Sequence, residues 1–112
     1  MTYEFGEVVL VPFPFTNQAA QKKRPAAVIS SLDYNAARPD LIVIAVTSQV
    51  REPLLFGEIA IADWQTAGLL KVSVIKPVIT TIQNDLIIQR LGRLALPDSQ
   101  SLQHLLTLLL NP

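Results

Sequence analysis

Apolar residues in the first half of the chain occur in short runs that polar or turn-forming residues separate. Residues 8–11, 25–30 and 41–46 are nearly continuous aliphatic runs, which is typical of buried strands. The run at 41–46 is the most hydrophobic, so we expect it to form a central strand. Pro12 and Pro14 predict the end of the first strand, because proline cannot donate to a β-ladder.

The second half contains looser alternation of polar and apolar residues. Residues 56–62, 71–75, 78–82 and 86–94 alternate in this way and predict half-exposed strands. Gly92, inside the last of these segments, is a candidate for a β-bulge. These segments bring the expected number of strands to between five and seven.

Helical signals occur at three places. Residues 31–40 contain loop or short-helix signals, and residues 62–70 predict a turn, at most one helical turn. Pro97 and Asp98 are suited to the start of a longer helix. Its leucines recur at helical spacing: Leu102, Leu105, Leu106, Leu109 and Leu110. A small, partly closed β-barrel with a closing C-terminal α-helix is therefore the expected fold.

Composition limits the classes of protein that need to be considered. The 112 residues indicate one domain, 1–112, and the apolar half of the chain excludes a disordered protein. The formal net charge is zero, so a nucleic-acid site has to depend on local charge, which the consecutive Lys22, Lys23 and Arg24 provide. The sequence has no cysteine and a single histidine, so we expect neither a metal nor another cofactor.

The N-terminal segment has neither a basic region nor a long apolar run, so we do not expect a signal peptide. The apolar runs are also much shorter than the roughly 20 residues that a membrane span requires. We therefore expect a soluble, cytoplasmic protein that does not bind a membrane.

Several short motifs follow one another in a characteristic order. They are Gly-Glu-Val-Val-Leu-Val at 6–11, Phe-Pro-Phe-Thr at 13–16, Lys-Arg-Pro-Ala at 23–26, Val-Ile-Ser at 28–30, Val-Thr-Ser at 46–48, Gly-Leu-Leu-Lys at 68–71 and Leu-Gly-Arg-Leu at 91–94. This order resembles the MazF/PemK family, whose members are toxins of type II toxin–antitoxin pairs and endoribonucleases. The likeness covers nearly the whole chain.

The resemblance implies an SH3-like β-barrel that usually forms a homodimer. It also implies cleavage of single-stranded RNA without a metal, which leaves a 2′,3′-cyclic phosphate and a 5′-hydroxyl. A cognate antitoxin protein is the implied partner. Three features differ from the family pattern: Val72 replaces the usual proline before Ser73, Lys76 replaces the common arginine, and residues 17–21 are rich in Gln and Ala. The third difference leaves the cleavage sequence open.

The family pattern assigns candidate residues to this chain. Arg24 and Thr47 match the catalytic positions, and Ser48 is a possible helper. A guanidinium can bind a phosphate oxygen pair with two parallel hydrogen bonds, and a hydroxyl can donate to the same developing charge. The candidate RNA-binding residues are Phe15, Thr16, Asn17, Gln18, Lys22, Lys23 and Lys76.

Several alternatives remain open at the level of sequence. Arg24 can be an ordinary solvated cation at the end of a strand, and Thr47 an ordinary strand residue. The general base is unassigned: His104 lies in the leucine-rich helix, where a surface or subunit contact is expected, and Glu7, Asp33 and Glu58 are equivalent candidates. One of Phe13 and Phe15 is the best candidate for base stacking, although packing in the core is the more common role of such residues.

The alternative function is a barrel that binds a protein without cleaving RNA. Such a protein either inhibits a target, as gyrase-poisoning toxins of similar fold do, or binds only its antitoxin. A weakly active toxin is the third possibility. The presence of both Arg24 and Thr47 favours the enzyme.

Overall fold

The structure is a computed structural model that describes residues 2–13 and 22–111. The described strands and helices are, in chain order, β1 (Glu7–Phe13), β2 (Lys22–Val28), α1 (Leu32–Ala37), β3 (Asp40–Thr47), β4 (Ile59–Ala60), β5 (Val74–Gln83), β6 (Gln89–Arg93) and α2 (Leu96–Leu110). A short 3₁₀ turn, Asn84–Leu86, joins β5 to β6. Six described strands and a C-terminal helix confirm the predicted content.

The strands form one antiparallel sheet in the order β4-β5-β3-β2-β1-β6, curled into a half-barrel. The partly closed barrel is therefore confirmed, and β3 is an interior strand, as the hydrophobicity of residues 41–46 predicts. Successive residues of one strand contribute to two different buried clusters, as Val8 and Val9 do. Burial on both faces explains why these strands are continuous aliphatic runs rather than alternating ones.

The predicted ends of the first two strands were wrong, because both strands continue through a proline. β1 includes Pro12 and ends at Phe13, and β2 begins at Lys22 with Pro25 as its fourth residue. The Leu10 carbonyl accepts a hydrogen bond from the β6 side, so the backbone of Pro12 faces the same side, where pairing with β6 stops at Leu10. Likewise, β3 pairs with β2 only from Ala26 onward, so it does not pair at Pro25. Neither proline therefore removes a hydrogen bond from the sheet.

Three boundaries in the second half also differ from the prediction. The segment 56–62 forms only the two-residue strand β4, and residues 71–75 and 78–82 belong largely to the single strand β5. Pro77 interrupts the alternation without ending β5, because it lies where the register between β3 and β5 shifts. The last strand is shorter than 86–94, but its register against β1 shifts beside Gly92, which confirms the bulge.

Residues 62–68 form hydrogen-bonded turns, as predicted, and their backbone crosses β6 in close contact. Gly68 has a φ of +80°, and a Cβ atom built there would lie 2.0 Å from the Leu91 carbonyl oxygen. A Cβ atom at Gly92 would lie 2.7 Å from the backbone of Ala67. Only glycines permit this crossing, which places residues 68–70 beside β6.

The helix α2 closes the fold and holds the start of the same turn. It begins at Leu96 with Pro97 in its first turn, in agreement with the prediction, and buries Leu102 and Leu105. The buried Asp98 carboxylate accepts hydrogen bonds from the backbone N–H groups of Ala62 and Asp63, both at 2.9 Å. Segment 62–70 is therefore fixed at one end by α2 and at the other by β6.

Candidate functional site

Arg24, Thr47 and Ser48 line one cavity of about 580 Å³. They meet because β2 and β3 are antiparallel neighbours, so the beginning of β2 lies beside the end of β3. Ala26 pairs with Ala45, and Arg24 and Thr47 each lie two residues beyond that pair. The cavity is lined by Leu10, Lys23, Arg24, Pro25, Val46, Thr47, Ser48, Gly68, Leu69, Leu70, Lys71, Ser73, Gln89 and Leu91.

The Thr47 hydroxyl is oriented by the chain that follows it. Its oxygen accepts a hydrogen bond from the backbone N–H of Gln49 at 3.1 Å, and the residue is half-buried. A hydroxyl that already accepts from a backbone donor keeps its own hydrogen for a further acceptor. Thr47 can therefore donate to an anion in the cavity.

The cavity carries positive charge. Lys23, Arg24 and Lys71 contribute cations, and no acidic side chain is among the described residues that line it. A polyanion such as a nucleic-acid backbone is the ligand that this charge favours.

A second cavity, of about 420 Å³, adjoins the first at Thr47, which lines both. It adds the cations Arg51 and Lys76 and one carboxylate, that of Glu58. The first cavity has three cations and the second has two, which together are five of the nine Lys and Arg residues. The positive charge is therefore concentrated here, although the formal net charge of the chain is zero. The two cavities together therefore form a basic groove, named here the Thr47 groove.

Three arginines outside the groove have a structural role. Arg38, Arg90 and Arg93 form ion pairs with Asp40, Glu7 and Glu4, at 3.2, 2.6 and 3.4 Å respectively. Arg90 also lies over the ring of Tyr3, with 4.4 Å between the guanidinium carbon and the ring centroid. Three of the nine acidic residues are thus paired with arginines outside the groove.

Lys71 is a lining residue that the sequence-based assignment missed. It lies between the buried Leu69 and Ser73, and the Ser73 hydroxyl donates to the Lys71 carbonyl at 2.9 Å. The neighbouring Leu70 is 92% exposed at the rim of the cavity. The motif at 68–71 already contained Lys71, but nothing in its spacing placed the lysine in the same cavity as Arg24.

The structure separates the candidate general bases. Glu7 is buried in its ion pair with Arg90, Asp33 is exposed on α1, and neither lines the groove. His104 is exposed on α2 and lines a different cavity, in agreement with a surface or contact role. Of these candidates, Glu58 alone lies in the groove.

The remaining predicted contacts fall into three groups. Lys23 and Lys76 line the groove, whereas Lys22 is exposed at the start of β2 and is not among the lining residues. Phe13 is fully buried in the core, so it cannot stack on a base. Four candidate residues lie outside the described part of the chain: Phe15, Thr16, Asn17 and Gln18.

Metal clusters and membrane-spanning helices have no support in the described residues. No group of three or more His, Cys, Asp or Glu side chains in residues 2–13 and 22–111 is arranged to hold a metal ion. Within the same residues, none of the helices has the length and apolarity needed to cross a membrane.

Known structures share this fold over almost their whole length. A mycobacterial endoribonuclease in complex with its cognate antitoxin superposes with a TM-score of 0.78 and 16% identity, over 97% of this chain and 95% of that one. The Mycobacterium tuberculosis toxin MazF-mt6 gives a TM-score of 0.75 and 17% identity, over 94% and 96% of the two chains. A MazE–MazF structure from Deinococcus radiodurans gives a TM-score of 0.72 and 22% identity, over 99% and 98%.

The family assignment comes from the sequence itself. No significant match to a curated protein sequence is found. The model of the PemK-like, MazF-like toxins of type II toxin–antitoxin systems, however, matches residues 4–110. The chain therefore belongs to the PemK-like, MazF-like family of type II toxins.

Proposed function

We propose that this protein is the toxin of a type II toxin–antitoxin pair and acts as a metal-independent endoribonuclease on single-stranded RNA. The observation that supports this most strongly is the meeting of Arg24, Thr47 and Ser48 in one cation-lined cavity. The family assignment and the endoribonuclease names of related structures agree with it. The products are a 2′,3′-cyclic phosphate and a 5′-hydroxyl.

The proposed reaction uses the substrate's own 2′-hydroxyl. Its oxygen attacks the adjacent phosphorus, the bond to the 5′-oxygen of the next nucleotide breaks, and a proton moves from the 2′-oxygen to the leaving 5′-oxygen. Extra negative charge develops on the non-bridging oxygens of the phosphate. Arg24 binds these oxygens with two charge-assisted hydrogen bonds, and Thr47 donates a third. Ser48 follows Thr47 and supplies a further hydroxyl at the same wall of the cavity.

Other groups of the groove bind the strand rather than react. Lys23 and Lys71 attract phosphates near Arg24, and Arg51 and Lys76 continue the positive charge past Thr47. The strand has to be unpaired, because in-line attack and contact with base edges need an accessible backbone. A dedicated metal is unnecessary in this scheme, and the residue composition, with no cysteine and one histidine, is poorly suited to bind one.

The same proposal includes the partners. We propose that the chain forms a homodimer, which is in keeping with an apolar content of 50% in 112 residues, and that a cognate antitoxin neutralises it. We also propose that it acts in the cytoplasm. Light scattering at micromolar concentration tests the dimer, and a monomer there contradicts it.

The test of the activity is cleavage of a long RNA in EDTA by the wild type and two matched variants. Arg24→Ala should lose about 100- to 1000-fold in rate, the loss typical of one oxyanion-stabilising donor. Arg93→Ala removes an exposed arginine outside the groove and should cleave at the wild-type rate. Downstream fragments should accept a kinase label without phosphatase treatment.

Three outcomes contradict the proposal. They are a requirement for magnesium, a 5′-phosphate on the downstream fragment, or full activity in a folded Arg24→Ala variant. A folded wild type that binds antitoxin but cleaves no RNA favours the non-catalytic alternative.

A further inference from the structure

The second cavity of the Thr47 groove, named here the Glu58 pocket, contains a carboxylate that phosphate binding does not explain. It lies directly beyond Thr47 and combines apolar walls with charged groups. Leu54 and Val50 contribute to the walls, and Arg51, Lys76 and Glu58 contribute the charges. Its volume of about 420 Å³ is ample for one nucleobase.

One oxygen of Glu58 has a structural role. The Leu55 N–H donates to Glu58 Oε1 at 2.9 Å, and the Glu58 N–H donates to the Leu55 carbonyl at 3.0 Å. These two bonds close the turn at Leu55, in which Gly57 has a φ of +95°. The turn therefore fixes the position of the carboxylate in the pocket.

The second oxygen has no such role. Within residues 2–13 and 22–111, Glu58 Oε2 has no hydrogen-bond donor and forms no ion pair, although Arg51 and Lys76 line the same pocket. Glu58 is also the single acid among the described residues that line the two cavities. An acid in a groove for a polyanion weakens phosphate binding, but its free oxygen can accept hydrogen bonds from N–H donors on the ligand.

We propose that the Glu58 pocket binds the nucleobase next to the scissile phosphate and that Glu58 selects guanine there. The inference rests on the proposed function, since it places this base beside the phosphate at Thr47. Guanine presents two adjacent donors, N1–H and the 2-amino group, on its Watson–Crick edge, and a carboxylate can accept both. Uracil presents one donor between two carbonyl oxygens, and the negative carboxylate repels these oxygens. The aliphatic walls contact the faces of the ring.

Binding of short RNA oligomers tests this without relying on cleavage. The oligomers carry 2′-O-methyl groups throughout, so the wild type cannot cut them, and they differ at one position that is guanine, inosine or uracil. Inosine lacks only the 2-amino group of guanine. Wild type should bind the guanine oligomer about 10- to 100-fold more tightly than the uracil oligomer, with inosine between them.

Two variants assign the preference to the carboxylate. Glu58→Gln keeps a side-chain oxygen for the Leu55 N–H, so the turn is retained, but it places an amide donor against the base donors. It should lose most of the preference for guanine and bind the uracil oligomer at least as well as the wild type does. Glu52→Gln makes the same change of charge nearby, on a residue outside the pocket lining, and should keep the preference.

The outcomes separate this inference from the proposed function. If Glu58→Gln keeps the wild-type preference, or if the wild type binds all three oligomers equally, the base-reading role is wrong even when RNA is cleaved. If the guanine preference depends on Glu58 but the protein cleaves no RNA, the pocket is correct and the proposed reaction is wrong. Where cleavage occurs, the cut sites of the wild type and of Glu52→Gln should show a preference for guanine at one flanking position. The cut sites of Glu58→Gln should not show it.

Discussion

Substitution of Asp98 is expected to destabilise the fold and to disturb the groove at the same time. Asp98 lies in the first turn of α2 and is 5% exposed. Its two oxygens accept the N–H groups of Ala62 and Asp63, each at 2.9 Å. These bonds hold the start of the turn whose far end, at Gly68, lines the larger cavity.

The magnitude follows from the number and type of the bonds. A hydrogen bond to a charged group contributes about 1.5–3 kcal/mol, and Asp98→Ala removes two. Ala62 is exposed and Asp63 half-exposed, so water can reach the released N–H groups and the lower end of the range applies to each. The expected loss is about 3 kcal/mol in the free energy of unfolding, equivalent to a melting temperature roughly 12 °C lower for a chain of this size.

Chemical denaturation at a fixed protein concentration measures this loss. Asp98→Asn retains one acceptor oxygen and should fall between the wild type and alanine. Asp85→Ala, an exposed acid in the Asn84–Leu86 turn, should stay within about 0.5 kcal/mol of the wild type. The cleavage rate of folded Asp98→Ala should also fall, because the wall that carries Lys71 loses one of its two attachments. A loss below about 1 kcal/mol for Asp98→Ala refutes the reasoning.

Three further predictions concern other parts of the molecule. Gly68→Ala should lower the free energy of unfolding, measured by urea titration, by more than about 2 kcal/mol. Alanine is strained at a φ of +80°, and its Cβ atom would lie 2.0 Å from the Leu91 carbonyl oxygen. An unchanged denaturation midpoint contradicts this. The hydrogen bond from Arg38 holds the pKa of the Asp40 carboxyl below its usual value. The contribution of the Asp40 carboxylate to stability is therefore complete above about pH 4 and is lost as the pH falls through the folded-state pKa. Asp40→Asn should accordingly show a smaller loss of stability in acid than the wild type. Thr47→Ser should keep most of the cleavage rate, because the hydroxyl donor remains, and Thr47→Ala should lose more than about tenfold. If both variants lose the same rate, the methyl group and not the hydroxyl is the part of Thr47 that cleavage requires.

The sequence alone determined the local elements, because each depends on a short-range period. Continuous aliphatic runs indicated the doubly buried strands at 8–11 and 41–46, and the leucine spacing indicated α2 from about Pro97. The order of the motifs, through the family resemblance, also indicated Arg24 and Thr47 as candidate catalytic residues. Their meeting in one cavity needed only that β2 and β3 be antiparallel neighbours.

The tertiary structure decided what depends on pairing and curvature. Pro12 and Pro25 lie inside strands because the neighbouring strand stops before them, and a local pattern contains no information about where a neighbour stops. Glu7, Asp33 and Glu58 were equivalent carboxylates in the sequence. The curl of the sheet and the turn at Leu55 placed Glu58 alone in the groove, since a side chain's surroundings are set by segments distant along the chain.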